Sequence, residues 1–281
     1  MNIISWNIQA AKGVDGHTRV DRIAAVIRAM GAADVICCQE VVQDPSSGQS
    51  DQVRQLARHF PEHGVFFGPA VDRPSAAGRL RFGNLVLSRL PVLHCALHKL
   101  PQPADPTTRN MPRQAIEVIV DRDGQPYRIV TAHLEYFSTT QRSAQVAYLV
   151  DLYRETRLRA AKPSLPGGPG LYDSAPETLS TVLCGDFNLT LDSAEYRCLV
   201  GEGCEGAPLD AWRLAHADAA HAPTCGVFDH AQWQEGAHCR DYFFVAPELA
   251  RQVSAVTVNI ETDASDHQPI KLILGGRGPL P

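Results

Sequence analysis

The sequence predicts an α/β fold in which the sheets mix parallel and antiparallel strands. Three features point to it. An apolar strand, a helix and a second apolar strand follow one another within the first 40 residues; a hairpin pattern spans residues 115–132; and short apolar runs separated by turn residues continue to the far end. A helical crossover makes its two strands parallel and a hairpin makes its two antiparallel, so a chain with both builds mixed sheets.

Ile3–Trp6 is short, apolar and strand-like. Val20, Ile23, Ile27 and Met30 recur at helical spacing, and Gly31 is suited to stop the helix. Asp34–Cys38 is the second apolar run and ends in Gln39-Glu40. A right-handed crossover makes these strands parallel neighbours. Asn7 and Glu40 then stand together at strand carboxyl ends, where α/β sheets bind ligands. A helix is expected over Asp51–Phe60, then strands around Gly64–Gly68 and Gly83–Ser88. Ala115–Val120 and Tyr127–Ala132 flank Asp121-Arg122-Asp123-Gly124 as a hairpin. Ser138 with Gln141 three residues on is a capping-box pattern, opening a helix that runs to about Leu158. Lys162–Glu177 is rich in Pro and Gly and reads as a surface loop. Leu179–Cys184, Tyr242–Val245, Val253–Asn259 and Ile270–Leu274 supply further strands, the last expected to close the sheet. No internal repeat at a fixed residue period is visible, and residues 1–281 are expected to form one domain.

A chain of 281 residues, 44% apolar and 20% charged, has the composition of an ordinary globular protein with a sizeable core. Its net charge of −5, from 26 basic and 31 acidic residues, argues against a dedicated duplex-binding protein, which needs many phosphate-neutralising cations. Arg79, Arg81, Arg109 and Arg113 lie close in sequence and are the material for a local basic groove; scattered solvated arginines are the alternative for the first two. None of the eight cysteines falls in a C-x-x-C pair, so neither a zinc ribbon nor a thioredoxin-like centre is expected. The first residues enter a strand at once, and no apolar stretch approaches the ~18–20 residues of a membrane span. The expectation is a cytoplasmic protein without stable membrane association.

Several strand ends carry reactive side chains. Gly185-Asp186-Phe187-Asn188 follows an apolar run. Residues two apart on an extended segment point the same way, so Asp186 and Asn188 face one site while Phe187 packs inward. A carboxylate can take a proton from water and an amide can hold a phosphoryl oxygen, which suits phosphate ester hydrolysis; a strand running into an Asp turn would look the same. In Ser265-Asp266-His267-Gln268-Pro269, an adjacent Asp and His fit a metal ligand beside a general base, or a solvated loop. Asp241, in Arg240-Asp241-Tyr242-Phe243, is the candidate to fix the tautomer of His267, with a surface charge as the alternative. His133 ends the second hairpin strand in Thr131-Ala132-His133-Leu134, and Arg113 opens the first; each has an ordinary structural reading as well.

In order along the chain, Ser5-Trp6-Asn7-Ile8, Gln39-Glu40-Val41, Arg113 with Ala115, Thr131-Ala132-His133-Leu134, Gly185-Asp186-Phe187-Asn188, Arg240-Asp241-Tyr242 and Ser265-Asp266-His267-Gln268-Pro269 resemble the endonuclease/exonuclease/phosphatase (deoxyribonuclease I-like) superfamily, over residues 5 to 269. The resemblance implies a four-layer α/β/β/α sandwich: two mixed β-sheets packed face to face, helices outside, the site at the upper rim. It also implies roles. Glu40 would be the principal Mg²⁺ or Mn²⁺ ligand, Asn7 would hold metal-bound water or phosphate beside it, and Asp266 would serve the metal side. Asp186 and Asn188 would orient water or the phosphoryl group, and His267, supported by Asp241, would act as general base or transition-state stabiliser. Oxygen-rich ligands suit these hard cations better than zinc.

The apurinic-endonuclease branch typically has a Tyr and an Asn where this chain has Thr131-Ala132-His133, which lowers the expectation of abasic-site repair. The His form is similar to the deoxyribonuclease I, sphingomyelinase and inositol-phosphatase branches, where that His and an Arg like Arg113 assist charge stabilisation or leaving-group protonation. Asp210–Arg213 (Asp-Ala-Trp-Arg) is similar to a piece found in bacterial members and is given no role. The expected function is metal-dependent hydrolysis of a phosphodiester in a nucleic acid, nucleotide or lipid head group, by in-line attack of activated water. A phosphomonoesterase of a small metabolite, or an inactive binding module, are the alternatives. The loops Gln102–Arg109, Lys162–Glu177 and Thr224–His238 are expected to shape specificity.

Overall fold

The computed structural model describes residues 1–44, 51–75, 78–163, 175–201 and 206–275. In chain order its elements are β1 (Asn2–Asn7), α1 (Val20–Ala29), β2 (Val35–Gln43), α2 (Gln52–His59), β3 (Gly64–Ser75), β4 (Gly78–Ser88), β5 (Val92–Lys99), β6 (Gln114–Arg122), β7 (Gln125–His133), α3 (Thr139–Ala161), β8 (Thr181–Asp186), α4 (Ala194–Leu199), β9 (Leu209–Asp210), α5 (Ala211–His216), β10 (Asp241–Val245), β11 (Val253–Val258) and β12 (Ile270–Leu274). One sheet runs β11-β12-β1-β2-β4-β3 and the other β5-β6-β7-β8-β10-β9.

The central strands of each sheet are buried on both faces, and strand alternation divides the core accordingly. Ile3, Val35, Cys37, Val182, Cys184 and Phe243 meet between the sheets. Their chain neighbours Ile4, Ile36 and Cys38 pack with Ile23, Ile27 and Leu56 of α1 and α2. Leu183 and Phe244 pack on the opposite outer face with Val146 and Leu149 of α3 and Leu199 of α4. The result is the α/β/β/α layering that the sequence resemblance implied.

The topology converts this layering into a site. Strands β1 and β2 are parallel neighbours, with Asn7 opposite Gln39. Through the α3 crossover β7 and β8 are also parallel, with His133 opposite Asp186, and β10 is antiparallel to β8, with Asp241 opposite Asp186. His133, Asp186 and Asp241 therefore form one row across the second sheet, at the end where β1 and β2 of the first sheet finish.

Several elements differ from expectation for physical reasons. Strand β5 went unforeseen: it is an edge strand, largely exposed, with little apolar alternation. Helices α4 and α5 have six residues each, too few to show a period. Strand β12 does not close its sheet but lies between β11 and β1. At the start of α3, Ser138 accepts from the Gln141 backbone N–H at 3.1 Å, yet the Gln141 side chain donates to Pro103 O, so only half of the capping box is made. Residues 164–174 of the Lys162–Glu177 loop lie outside the described residues. Its described C-terminal flank is tied to the remote end of the second sheet, since Thr178 Oγ1 donates to Pro126 O in the strand opposite to the His133 end. Among the described residues no helix is long and apolar enough to cross a membrane, and the cysteines are free.

Gly185 lets β7 and β8 approach closely just before Asp186. Its φ is 134°, and a Cβ there would lie 1.9 Å from the Ala132 carbonyl oxygen. Gly185→Ala is expected to destabilise the protein by about 2 kcal/mol or more, because the backbone must both strain and part. A urea midpoint equal to that of the parent would refute this.

Candidate active site

Glu40 reaches the site through an irregularity in β2. The β2–β4 register slips between Cys38 and Val41, and Glu40 adopts φ 58°. A bulge of this kind re-aims a side chain that plain alternation would send to the helix-covered face. The carboxylate instead accepts from Asn7 Nδ2 at 3.1 Å. The same amide nitrogen donates to Asp186 Oδ2 at 2.9 Å, so Asn7 links the two sheets.

Asp186 and Asn188 both face the site, but not by extended alternation. Asn188 has φ 50°, a left-handed conformation that Asn tolerates, and its backbone N–H donates to Asp186 Oδ1 at 2.9 Å. Phe187 is fully buried in the core, as expected. The Asn188 side chain donates to Leu134 O at 3.0 Å and lies 3.1 Å from His133 Nε2. Arg113 Nη1 also lies 3.1 Å from that nitrogen. With two donors aimed at Nε2, the His133 proton belongs on Nδ1, which is 3.9 Å from Glu40 Oε1. Burial, Arg113 and His267 hold the His133 pKa well below the usual histidine value. Its 3.3 Å approach to Asp186 is therefore not an ion pair.

His267 is the opposite case. Its Nδ1 donates to Asp241 Oδ2 at 2.8 Å, and Nε2 is 3.6 Å from Asp186 Oδ2. Burial works against its charge, but Asp241, Asp186 and Asp266 outweigh burial and raise its pKa well above the ordinary value. Asp186, Asp241 and His267 are the acidic–histidine group whose ligand atoms all lie within 4.8 Å of one another. The charge on His267 offsets one of the two carboxylates, and its Nδ1 is already committed to Asp241. Burial raises the carboxyls of Asp186 and Asp266. Loss of solvent and then the charge of Asp266 push Glu40 up to about 7, against opposing pulls from Asn7, Arg113 and His267.

Most of the supporting side chains were not foreseen, because apart from Trp6 none belongs to a motif singled out in the sequence. Glu135 is fully buried; it accepts from Arg113 Nε at 3.1 Å and from the backbone N–H groups of Met111 and Phe137. Thr224 accepts with Oγ1 from the N–H groups of Arg240 and Asp241, and with its carbonyl from Gln268 N at 2.7 Å. Gln232 donates to Asp266 Oδ2 at 2.7 Å, and Trp233 meets the His267 ring edge-on at 5.6 Å. Trp6 Nε1 donates to the His267 carbonyl at 2.8 Å.

A cavity of about 490 Å³ opens here, lined by Asn7, Glu40, Asp186 and Asp266 together with the aromatic side chains Tyr136, Phe137 and Trp233 among others. A cavity of about 520 Å³ beside α3 and α4, lined by Val150, Tyr153 and Leu199 among others, holds neither a carboxylate nor a histidine. The four neighbouring arginines do not form a groove: Arg79 and Arg81 pair with Asp72, and Arg113 is buried. Glu40→Gly should relieve both the left-handed backbone and the crowded carboxylate. The metal-free variant is expected to unfold at higher temperature by a few degrees, on the order of 1 kcal/mol; thermal unfolding that shows a lower midpoint would contradict this.

The family model for the Endonuclease/Exonuclease/phosphatase family matches residues 4–267. The structure of an endonuclease/exonuclease/phosphatase from Beutenbergia cavernae DSM 12333 is similar at 25% identity and TM-score 0.66, over 98% of this chain and 72% of that one. The mannosyl-6-phosphatase Bt3783 of Bacteroides thetaiotaomicron VPI-5482 is similar at 18% identity and TM-score 0.71, over 98% and 99% of the two chains. Truncated TDP2 of Caenorhabditis elegans is similar at 19% identity and TM-score 0.63, over 98% and 97%. No curated protein matches. Members of the matched family are usually phosphoester hydrolases. The chain belongs to the Endonuclease/Exonuclease/phosphatase family.

Proposed function

We propose that this chain is a divalent-metal-dependent phosphoesterase that hydrolyses a phosphodiester by in-line attack of water, with residues 1–281 acting as one domain. The observation that supports this most strongly is the convergence of His133, Asp186 and Asp241 from one sheet with Asn7 and Glu40 from the other, closed by the His267–Asp241 pair at 2.8 Å.

The donor set fits a hard cation. Burial pushes both the Glu40 and Asp266 carboxyls upward, Asp266 adding to the effect on Glu40 and Asp186 to that on Asp266, so that the pull of His267 leaves both still raised. Glu40, Asp266 and Asn7 offer oxygen ligands, suited to Mg²⁺ or Mn²⁺. When bound, such an ion neutralises charge on the phosphoryl oxygens.

The remaining work falls to the chain's own side chains. Asp186, with its raised pKa and its grip by Asn7 and the Asn188 N–H, accepts the proton of the attacking water. His267, held as an imidazolium by Asp241, offers an N–H to a phosphoryl oxygen as negative charge develops there. Of the two roles the resemblance allowed for His267, transition-state stabilisation is thus favoured over general base. Burial and Arg113 keep His133 neutral, and Arg113 and Asn188 hold its Nε2, leaving the Nδ1–H turned toward the Glu40 side, where it can donate to the substrate.

Purified protein should hydrolyse bis-p-nitrophenyl phosphate with Mn²⁺ and lose activity in EDTA. Glu40→Ala and His267→Ala should each lower kcat/KM by roughly 10²–10⁴-fold. Equal rates in all samples, or none in any, would refute the enzyme reading. Mn²⁺ affinity should also depend on pH. Because the Glu40 carboxyl is pushed up to about 7 and must lose its proton to act as a ligand, binding should weaken roughly tenfold per unit as pH falls below about 7. Calorimetric titrations giving one affinity from about pH 5.5 to about pH 8 would sink that assignment.

A further inference from the structure

Arg109 lines the same cavity as Glu40, Asp186 and His267. Its guanidinium lies over the Phe137 ring, 4.0 Å from the ring centre, and makes no hydrogen bond or ion pair among the described residues. Every other arginine near the cavity is occupied. Arg113 holds His133 and Glu135. Arg142 donates to the carbonyls of Glu135 and Tyr136, and Arg240 to Asn188 O and Glu235. Arg109 is left as an exposed cation on a cavity that Glu40, Asp186 and Asp266 also line.

Its seat is built into the site rather than left to a wandering loop. One oxygen of the buried Glu135 accepts from Met111 N at 3.3 Å, and the other accepts from Phe137 N at 2.9 Å. The chain two residues beyond Arg109 and the ring beneath it are thus fixed by a single carboxylate, the same one that holds Arg113. Stacking on an aromatic face leaves a guanidinium's edge donors free, and those donors match the oxygens of a phosphate.

Taking the phosphoesterase reading as given, we infer that Arg109, seated on Phe137, is a specificity residue that binds a second phosphate group on the substrate, beyond the ester being cut. The favoured class is then an organic phosphoester carrying an additional terminal phosphate.

The test compares adenosine 5′-monophosphate with adenosine 3′,5′-bisphosphate by calorimetry, using Ca²⁺ in place of Mn²⁺ to slow turnover. The parent protein should bind the bisphosphate about tenfold or more tightly than the monophosphate. Arg109→Ala should shrink that preference to within about twofold, Arg109→Lys should keep part of it, and Phe137→Ala should weaken it by removing the seat. Equal binding of both nucleotides by the parent, or a full preference that survives in Arg109→Ala, would overturn the subsite. A parent that prefers the bisphosphate through Arg109 but hydrolyses neither bis-p-nitrophenyl phosphate nor p-nitrophenyl phosphate supports the subsite and refutes the phosphoesterase reading instead.

Discussion

The Asp186 carboxylate is where the two sheets meet chemically. It lies in the second sheet, takes a hydrogen bond from Asn7 of the first, and receives the Asn188 N–H along its own chain. The charged His267 lies 3.6 Å from the same oxygen, and the His133 Nε2 that Arg113 and Asn188 hold lies 3.3 Å from it. A carboxylate in such a place is stable only while donors surround it, because an unpaired buried charge is costly. The layers, the α3 crossover and the left-handed Asn188 are all arranged so that those donors arrive.

From that arrangement follows a division between the two histidines. Both are buried, and burial alone would neutralise both. His267 escapes because Asp241 pairs with it directly and two further carboxylates lie near. His133 does not, since its neighbours include Arg113 and the charge on His267 itself. One imidazole is held charged and the other neutral within a single cavity, which separates charge stabilisation from neutral hydrogen bonding without any difference in residue type.

Much of this was legible in the sequence, and what was not has identifiable causes. Parallel pairing of β1 and β2 followed from a strand, a helix and a strand in succession; Asn7 does meet Glu40, but Glu40 lies within β2 rather than at its end and is turned to the site by the bulge. The hairpin, and with it the position of His133, followed from alternation and an Asp-Gly turn. Asp186 and Asn188 were rightly expected to share a site, but through the wrong geometry, since a left-handed residue leaves no mark on hydrophobic period. Strand β5 was invisible because an exposed edge has little alternation. Glu135, Thr224 and Gln232 were missed because most of their hydrogen-bond partners are remote in sequence. Nothing local in a chain records such a bond.

The segment between Thr224 and His238 is sealed at its neck. Thr224 N and Cys225 N donate to His238 O, and His238 N returns a bond to Cys225 O. Thr224 at that neck also fixes Asp241 and Gln268, while Gln232 and Trp233 lie out on the lobe and form cavity wall. The hydrogen bonds at the neck do not depend on the length of the lobe, whereas Gln232 and Trp233 touch Asp266 and His267 directly. Elsewhere on the lobe, insertions would reshape the entrance while leaving the seat of Asp241 and Gln268 at the neck intact.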